Sequence, residues 1–70
     1  INIYPSLTSG MLTIENATGA DYKITSIVGT VCMEARIEDA TIDISSLAPG
    51  IYLLYVRKDG NIHMQRIIKQ

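Results

Sequence analysis

The chain contains no Phe and no Trp, and only one cysteine, Cys32, and one histidine, His63, among its 70 residues. A lone cysteine forms no internal disulfide. One His and one Cys do not make the ligand set of a structural zinc. No metal and no cofactor is expected. A domain this small buries only about 60% of the surface its unfolded chain exposes, and the staples that usually support short folds are missing. The hydrophobic fraction is nevertheless 47%, so the core is expected from Ile, Leu, Val and Ala, with Tyr4, Tyr22, Tyr52 and Tyr55 as its large rings. The charges are few and scattered, with a net charge of −1. No basic stripe interleaved with aromatics is present, which excludes a nucleic-acid groove. The longest apolar run, Ile51 to Val56, spans six residues against the roughly 20 of a membrane span, so the chain is read as not membrane-inserted. It opens on Ile1 with neither an initiator Met nor a signal-peptide pattern. Residues 1–70 are therefore expected to form a single domain, a fragment of a longer protein whose remainder lies upstream.

What is present is regular punctuation. "PSLTSG" (5–10), "NATG" (16–19), "VG" (28–29), "EDA" (38–40), "SSLAPG" (45–50) and "KDG" (58–60) all carry turn residues. Gly supplies positive φ, Pro fixes φ, and Asn, Asp and Ser bond back to the local backbone. Between them lie short segments rich in β-branched residues, a spacing that predicts a β-sandwich or barrel. No stretch free of breakers sustains helical periodicity, so little or no helix is expected. Alternation agrees. Leu12 and Ile14 oppose Thr13 and Glu15; Tyr22 and Ile24 oppose Lys23 and Thr25. Val31, Met33, Ala35 and Ile37 oppose Cys32, Glu34 and Arg36, and Ile42 and Ile44 oppose Thr41 and Asp43. Period two with one wet face is the mark of antiparallel sheets over a shared core.

The last hairpin admits two registers. A loop of Asp59-Gly60 alone puts His63, Gln65 and Ile67 on the face of Tyr52, Leu54 and Val56, which would bury polar groups. A three-residue loop, Lys58-Asp59-Gly60 with Gly60 left-handed in a bulge, aligns that face with Ile62 and Met64 instead. It places Leu53 and Tyr55 with Gln65 and His63. Because a one-residue slip exchanges the two faces, burial favours the bulged loop.

The letters of a catalytic triad occur in Ser45, Ser46, Asp43 and His63, but nothing in the sequence brings His63 near the serines. It reads as a surface histidine. Cys32 has no flanking positive charge to favour a thiolate and reads as a small half-buried residue. Glu38 and Asp39 are neighbours in a solvated turn. Asp39, Asp43 and Asp59 match no calcium-loop spacing. Asn16-Ala17-Thr18 fits the N-glycosylation pattern and equally a turn. An enzyme is not expected.

Two features remain. Ile51, Leu53 and Tyr55 form a second apolar face on the penultimate strand. It is either covered, as in a central strand, or left for a partner, and covering on both faces is the preferred reading. The tail, "RIIKQ", ends a strand with Arg66 and Lys69. It is either edge protection or a strand offered to a receptor.

Three stretches resemble a known family. "YPSLTSG" resembles an opening Tyr-Pro-Asn-Pro turn with Gly before an apolar strand. "ISSLAPGIYLLYV" resembles a Leu-x-x-Gly-x-Tyr strand at Leu47, Gly50 and Tyr52. "RIIKQ" resembles a terminal Lys-apolar-apolar-Lys ending, through Arg66, Ile67, Ile68 and Lys69. Together they cover essentially the whole chain and are similar to the type A C-terminal sorting domain of type IX secretion cargo proteins of Bacteroidota. Ser6 and Leu7 stand where the family has Asn-Pro, and "SIVGTVC" replaces its Asp-x-x-Gly-Lys.

The resemblance implies an all-β, seven-stranded antiparallel immunoglobulin-like β-sandwich without catalytic activity. It implies a secretion signal that carries a folded cargo from the periplasm across the outer membrane to the cell surface or medium. A sortase-like peptidase then removes it. The implied partners are the outer-membrane translocon and its shuttle components, that peptidase, and the upstream cargo domain. Recognition is expected at Gly50, Tyr52, Arg66, Ile67, Ile68 and Lys69, with Arg66 and Lys69 touching the receptor. Pro5, Gly10, Gly29, Leu47 and Gly60 are expected to shape turns. Deleting Arg66 to Gln70 is expected to block export while the sandwich stays folded. The rival readings are an immunoglobulin-like binding or adhesion module retained on the secreted protein and, further off, a small enzyme or inhibitor.

Overall fold

A computed structural model describes residues 2–70. Eight strands follow one another: β1 (Asn2–Tyr4), β2 (Leu7–Thr8), β3 (Met11–Glu15), β4 (Asp21–Ser26), β5 (Val31–Arg36), β6 (Thr41–Asp43), β7 (Gly50–Lys58) and β8 (Asn61–Lys69). No helix occurs among the described residues. The strands form a three-stranded sheet, β1-β3-β6, and a five-stranded sheet, β2-β8-β7-β4-β5.

The all-β, two-sheet architecture follows the sequence pattern, but its strand count and pairing do not. Eight strands replace the seven expected, and β2 runs parallel to β8, with Leu7 opposite Ile68 and Thr8 opposite Lys69. "PSLTSG" is not one turn. The chain leaves the three-stranded sheet after Tyr4, crosses at Pro5 and Ser6 through a cis Tyr4-Pro5 bond, and lies along the tail in the other sheet. A two-residue strand is too short to leave a periodic trace.

The core lies between the sheets. Leu12, Ile14 and Ile42 face Tyr22, Ile24, Tyr52, Leu54, Val56 and Ile67, and Ala17, Ala20, Ile37 and Ile44 close the ends. Alternation held in β3, β6 and β4 as far as Ile24, while Thr25, expected on the wet face, is buried. It fails in β5, where Val31 and Ala35 are exposed. That strand forms the sheet edge, and its register slips between Ile24↔Met33 and Thr25↔Val31. The slip leaves Cys32 unmatched, and its thiol is exposed rather than half-buried. Of the tyrosines, Tyr22 and Tyr52 enter the core, whereas Tyr4 is exposed and Tyr55 half-exposed.

The hairpin register also differs from the expectation. Lys58 pairs with Asn61, Val56 with His63, Leu54 with Gln65 and Tyr52 with Ile67. Asp59 and Gly60 both take positive φ, 53° and 82°, as a two-residue type I′ turn requires, and its twist matches the strands. The burial argument against this register assumed that the core runs the length of β8. It does not. His63 is exposed and Gln65 only half-buried, and Ile67 is the residue of this set that reaches the interior. Ile62 and Met64 consequently point outward.

Candidate recognition surface

The tail is an ordered strand with neighbours on both sides. β7 pairs with it through Ile51↔Ile68, Tyr52↔Ile67 and Leu53↔Arg66. On the other side the Ile68 amide donates to the Ser6 carbonyl at 2.7 Å and the Gln70 amide to the Thr8 carbonyl at 2.8 Å. Alternation then decides what a partner meets. Ile67 is 0% exposed and Lys69 8%; both share the inward parity. The Lys69 ammonium folds back to donate to the Gln70 carbonyl at 2.9 Å. Arg66 is exposed and Ile68 half-exposed. Of the tail residues, then, Arg66 and Ile68 present themselves while Ile67 and Lys69 hold the strand down.

Gly50 and Tyr52 set the corner before β7. The Tyr52 hydroxyl donates to the Ala48 carbonyl at 2.6 Å, closing the Ser45–Pro49 loop over the buried ring. A side-chain carbon on Gly50 would sit 3.9 Å from that ring. Leu47 packs partly on the core, its amide donating to the Ile44 carbonyl. Gly10 admits this loop closely: a Cβ there would stand 3.4 Å from the Ser45 Cβ. The Ser45 amide donates to the Asp43 carboxylate at 2.9 Å, and hydrogen bonding by Ser45 holds Asp43 below the usual carboxylate range. Hydrogen bonds from Thr41 do the same for Asp39. Gly29 turns the chain between β4 and β5, its amide donating to the Ser26 carbonyl. Gly60 completes the hairpin turn, and Pro5 lies in the crossing between β1 and β2. Replacing Tyr52 with Phe removes a bond worth about 1 kcal/mol. The thermal midpoint is therefore expected to fall by about 4–8 °C, readable by circular dichroism; an unchanged midpoint would detach the hydroxyl from the corner's stability.

The outward face of the five-stranded sheet is the larger surprise. The pairings align Leu7, Ile68 and Ile51 in one row, Arg66, Leu53 and the buried Thr25 in the next, then Met64, Tyr55, Lys23 and Glu34, and finally Ile62, Arg57, Asp21 and Arg36. No described element lies over these rows. The preferred expectation of cover on both sides of β7 does not hold, because the three-stranded sheet packs on the inward face alone. Ile62 and Met64 are 66% and 60% exposed, Leu7 and Ile51 are exposed, and so are Ile27 and Val28 in the adjoining turn. Charge gathers on the β4–β5 side of the face: Glu34 lies opposite Lys23 and Arg36 opposite Asp21, the Lys23 ammonium stands 5.5 Å from the Tyr55 ring, and Arg57 and Asp21 pair at 3.5 Å in solvent. A shallow depression of about 610 Å³ lies among Lys23, Glu34, Tyr55, Arg57 and Ile62. The β2, β8 and β7 side of this face is thus rich in exposed apolar side chains and includes the tail, while its β4 and β5 side is charged.

A model of the secretion system C-terminal sorting domain family matches residues 2–70. The chain belongs to this family. The type IX secretion resemblance carried by its turns, its Gly50–Tyr52 strand and its tail thus extends over the whole domain. No curated protein shows significant similarity to the chain.

The sorting domain does not assemble the letters of a catalytic site. Cys32 on β5 and His63 on β8 are separated by β4 and β7 in the same sheet, roughly 14 Å at ordinary strand spacing. Asp43 is engaged by Ser45 beside β6, while His63 lies near the hairpin tip. Among the described residues, no three His, Cys, Asp or Glu side chains gather at metal-binding distance. Sequence reading missed Leu7, Ile62 and Met64 as parts of the surface. The Asp59-Gly60 dipeptide, a strong two-residue hairpin signal, would have placed the last two.

Proposed function

We propose that this sorting domain is a folded, non-catalytic address that the type IX machinery reads on the outward face of its five-stranded sheet. The observation that carries the reading is the β2–β8–β7 part of that face: rich in exposed apolar side chains and continuous with the tail. Ile51, Ile68 and Arg66 make the contacts, and Gly50, Tyr52, Ile67 and Lys69 hold the strands that display them. A preformed surface loses less ordering entropy on binding than a loose peptide would.

The same reading takes the sandwich as immunoglobulin-like, with β1 and β2 as halves of one divided first strand. A tyrosine near the start of the penultimate strand that bonds back to backbone a few residues upstream is a mark of that architecture, and Tyr52 does so to Ala48. In this function the domain travels with a folded periplasmic cargo to the outer-membrane translocon and its shuttle components. A sortase-like peptidase releases it at the cell surface, where the cargo remains or is shed.

Fusing the chain to a neutral periplasmic reporter tests the address. In a secreting strain the reporter is expected at the surface or in the medium; retention in the periplasm would refute the reading. Mass spectrometry of the exported reporter is expected to show residues 2–70 removed. If they stay attached, the accessory binding-module reading takes its place.

A further inference from the structure

Met11 has backbone groups that no described strand meets. The Ile44 amide donates to the Gly10 carbonyl and the Ile14 amide to the Ala40 carbonyl, both at 2.7 Å. Gly10 and the even-numbered residues of β3 therefore bond on the β6 side, and the odd-numbered ones turn their groups toward β1. β1 pairs Asn2 with Glu15, Ile3 with Ile14 and Tyr4 with Thr13. Continued straight, it would set Pro5 opposite Leu12 and Ser6 opposite Met11. The chain departs instead, and the Ser6 carbonyl accepts from the Ile68 amide in the other sheet.

A side chain takes the place of the departed strand. The Thr8 hydroxyl donates to the Met11 carbonyl at 2.7 Å and accepts from the Gly10 and Met11 amides, each at 3.1 Å. Its one proton and both lone pairs are thus engaged. Thr8 is 7% exposed, so this oxygen is out of a partner's reach. The backbone of the same residue meets the tail: its carbonyl accepts from the Gln70 amide at 2.8 Å, and it lies opposite Lys69 in the parallel pair. One residue joins the corner of the three-stranded sheet to the end of the tail in the five-stranded one.

We propose that Thr8 is a positioning residue of the sorting signal, whose hydroxyl commits Ser6–Thr8 to the tail instead of to β3 and so holds the end of β8 in place for reading. Two arrangements compete for these three residues. In one they prolong β1 along β3, and backbone satisfies Met11. In the other they flank β8, and Met11 depends on the hydroxyl. Without that hydroxyl the second arrangement leaves the Gly10 amide and both Met11 groups short of a partner, which costs more than an ordinary lost hydrogen bond. The population then moves toward the first arrangement, and the outer edge of the tail comes free. The link to export rests on the machinery reading the tail and the face beside it; the link between Thr8 and the tail does not.

Thr8→Val keeps the branched shape and removes the hydroxyl, whereas Thr8→Ser keeps the hydroxyl and removes the methyl. In amide hydrogen exchange, Thr8→Val is expected to speed exchange at Ile68 and Gln70 by about tenfold or more beyond any change at Ile24 and Leu54. Thr8→Ser is expected to leave that difference near unity. A threonine that served stability alone would lower protection at all four amides alike. In the reporter fusion, export is expected to fall with Thr8→Val and to return with Thr8→Ser. In the unaltered chain, the Thr8 hydroxyl proton is expected to exchange slowly with water in NMR spectra, a reading that needs no variant. An even loss of protection overturns the proposal, as does a tail loosened equally by Thr8→Ser. So does a loosened tail that exports normally, or a hydroxyl proton in free exchange. Normal export after changing both Ile51 and Ile68 to Thr sinks the reading of the face instead, and leaves the exchange result standing.

Discussion

Removing Arg66 to Gln70 is expected to unfold the sorting domain, not merely to silence it. Ile67 is fully buried, and truncating one such side chain to Ala ordinarily costs about 2–5 kcal/mol. Whole domains are stable by only about 5–15 kcal/mol, and small ones sit at the low end. The deletion goes further than one side chain. It strips β2 of its only partner and bares the start of β7, whose Tyr52 anchors the preceding corner. The truncated chain is expected to lose amide dispersion in NMR spectra and its cooperative thermal transition. Arg66→Ala, a change to an exposed side chain, is expected to leave stability within about 0.5 kcal/mol while lowering export. The earlier expectation of a folded but unreadable truncation treated the tail as an appendage; its Ile67 is core and its Lys69 is buried. A truncated chain that melts like the intact one would place Ile67 outside the core after all.

The second large effect separates folding from reading. Ile51 and Ile68 are cross-strand neighbours on the outward face, and changing both to Thr keeps β-branching and strand propensity. Stability is expected to change by less than about 1 kcal/mol, because neither side chain is fully buried. If the machinery closes over these residues, each substitution forfeits about 1.5 kcal/mol of apolar burial. Together they are expected to weaken docking by roughly a hundredfold, seen as reporter accumulating in the periplasm with an unaltered melting curve. Undiminished export by the double variant would remove this face from the signal.

Much of the fold could be read from residue order. Alternation in Leu12/Ile14, Tyr22/Ile24 and Ile42/Ile44 placed those side chains inside, and Gly50 with Tyr52 marked a structured corner. What escaped reading has physical causes. The Leu7–Thr8 strand is fixed by a distant partner, the tail, and no local pattern announces such a pairing. In β5, an edge position overrides alternation, since Val31 and Ala35 have no opposing sheet to meet. In the last hairpin, a burial rule was applied to residues beyond the reach of the three-stranded sheet, and it outweighed the stronger local preference of Asp59-Gly60. The outward face was hidden by the same mistake, because the assumed register turned Met64 and Ile62 inward. Sequence pattern says which faces of a strand differ; it does not say how far the facing sheet extends.

The parallel clasp between Ser6–Thr8 and Ile68–Gln70 has a mechanical corollary. Tow the domain by whatever precedes Asn2 while Gln70 is held, and these two segments slide lengthwise past each other. Their hydrogen bonds then stretch simultaneously instead of unzipping one at a time. The label is toughest along the one line in which a cargo would tug on it.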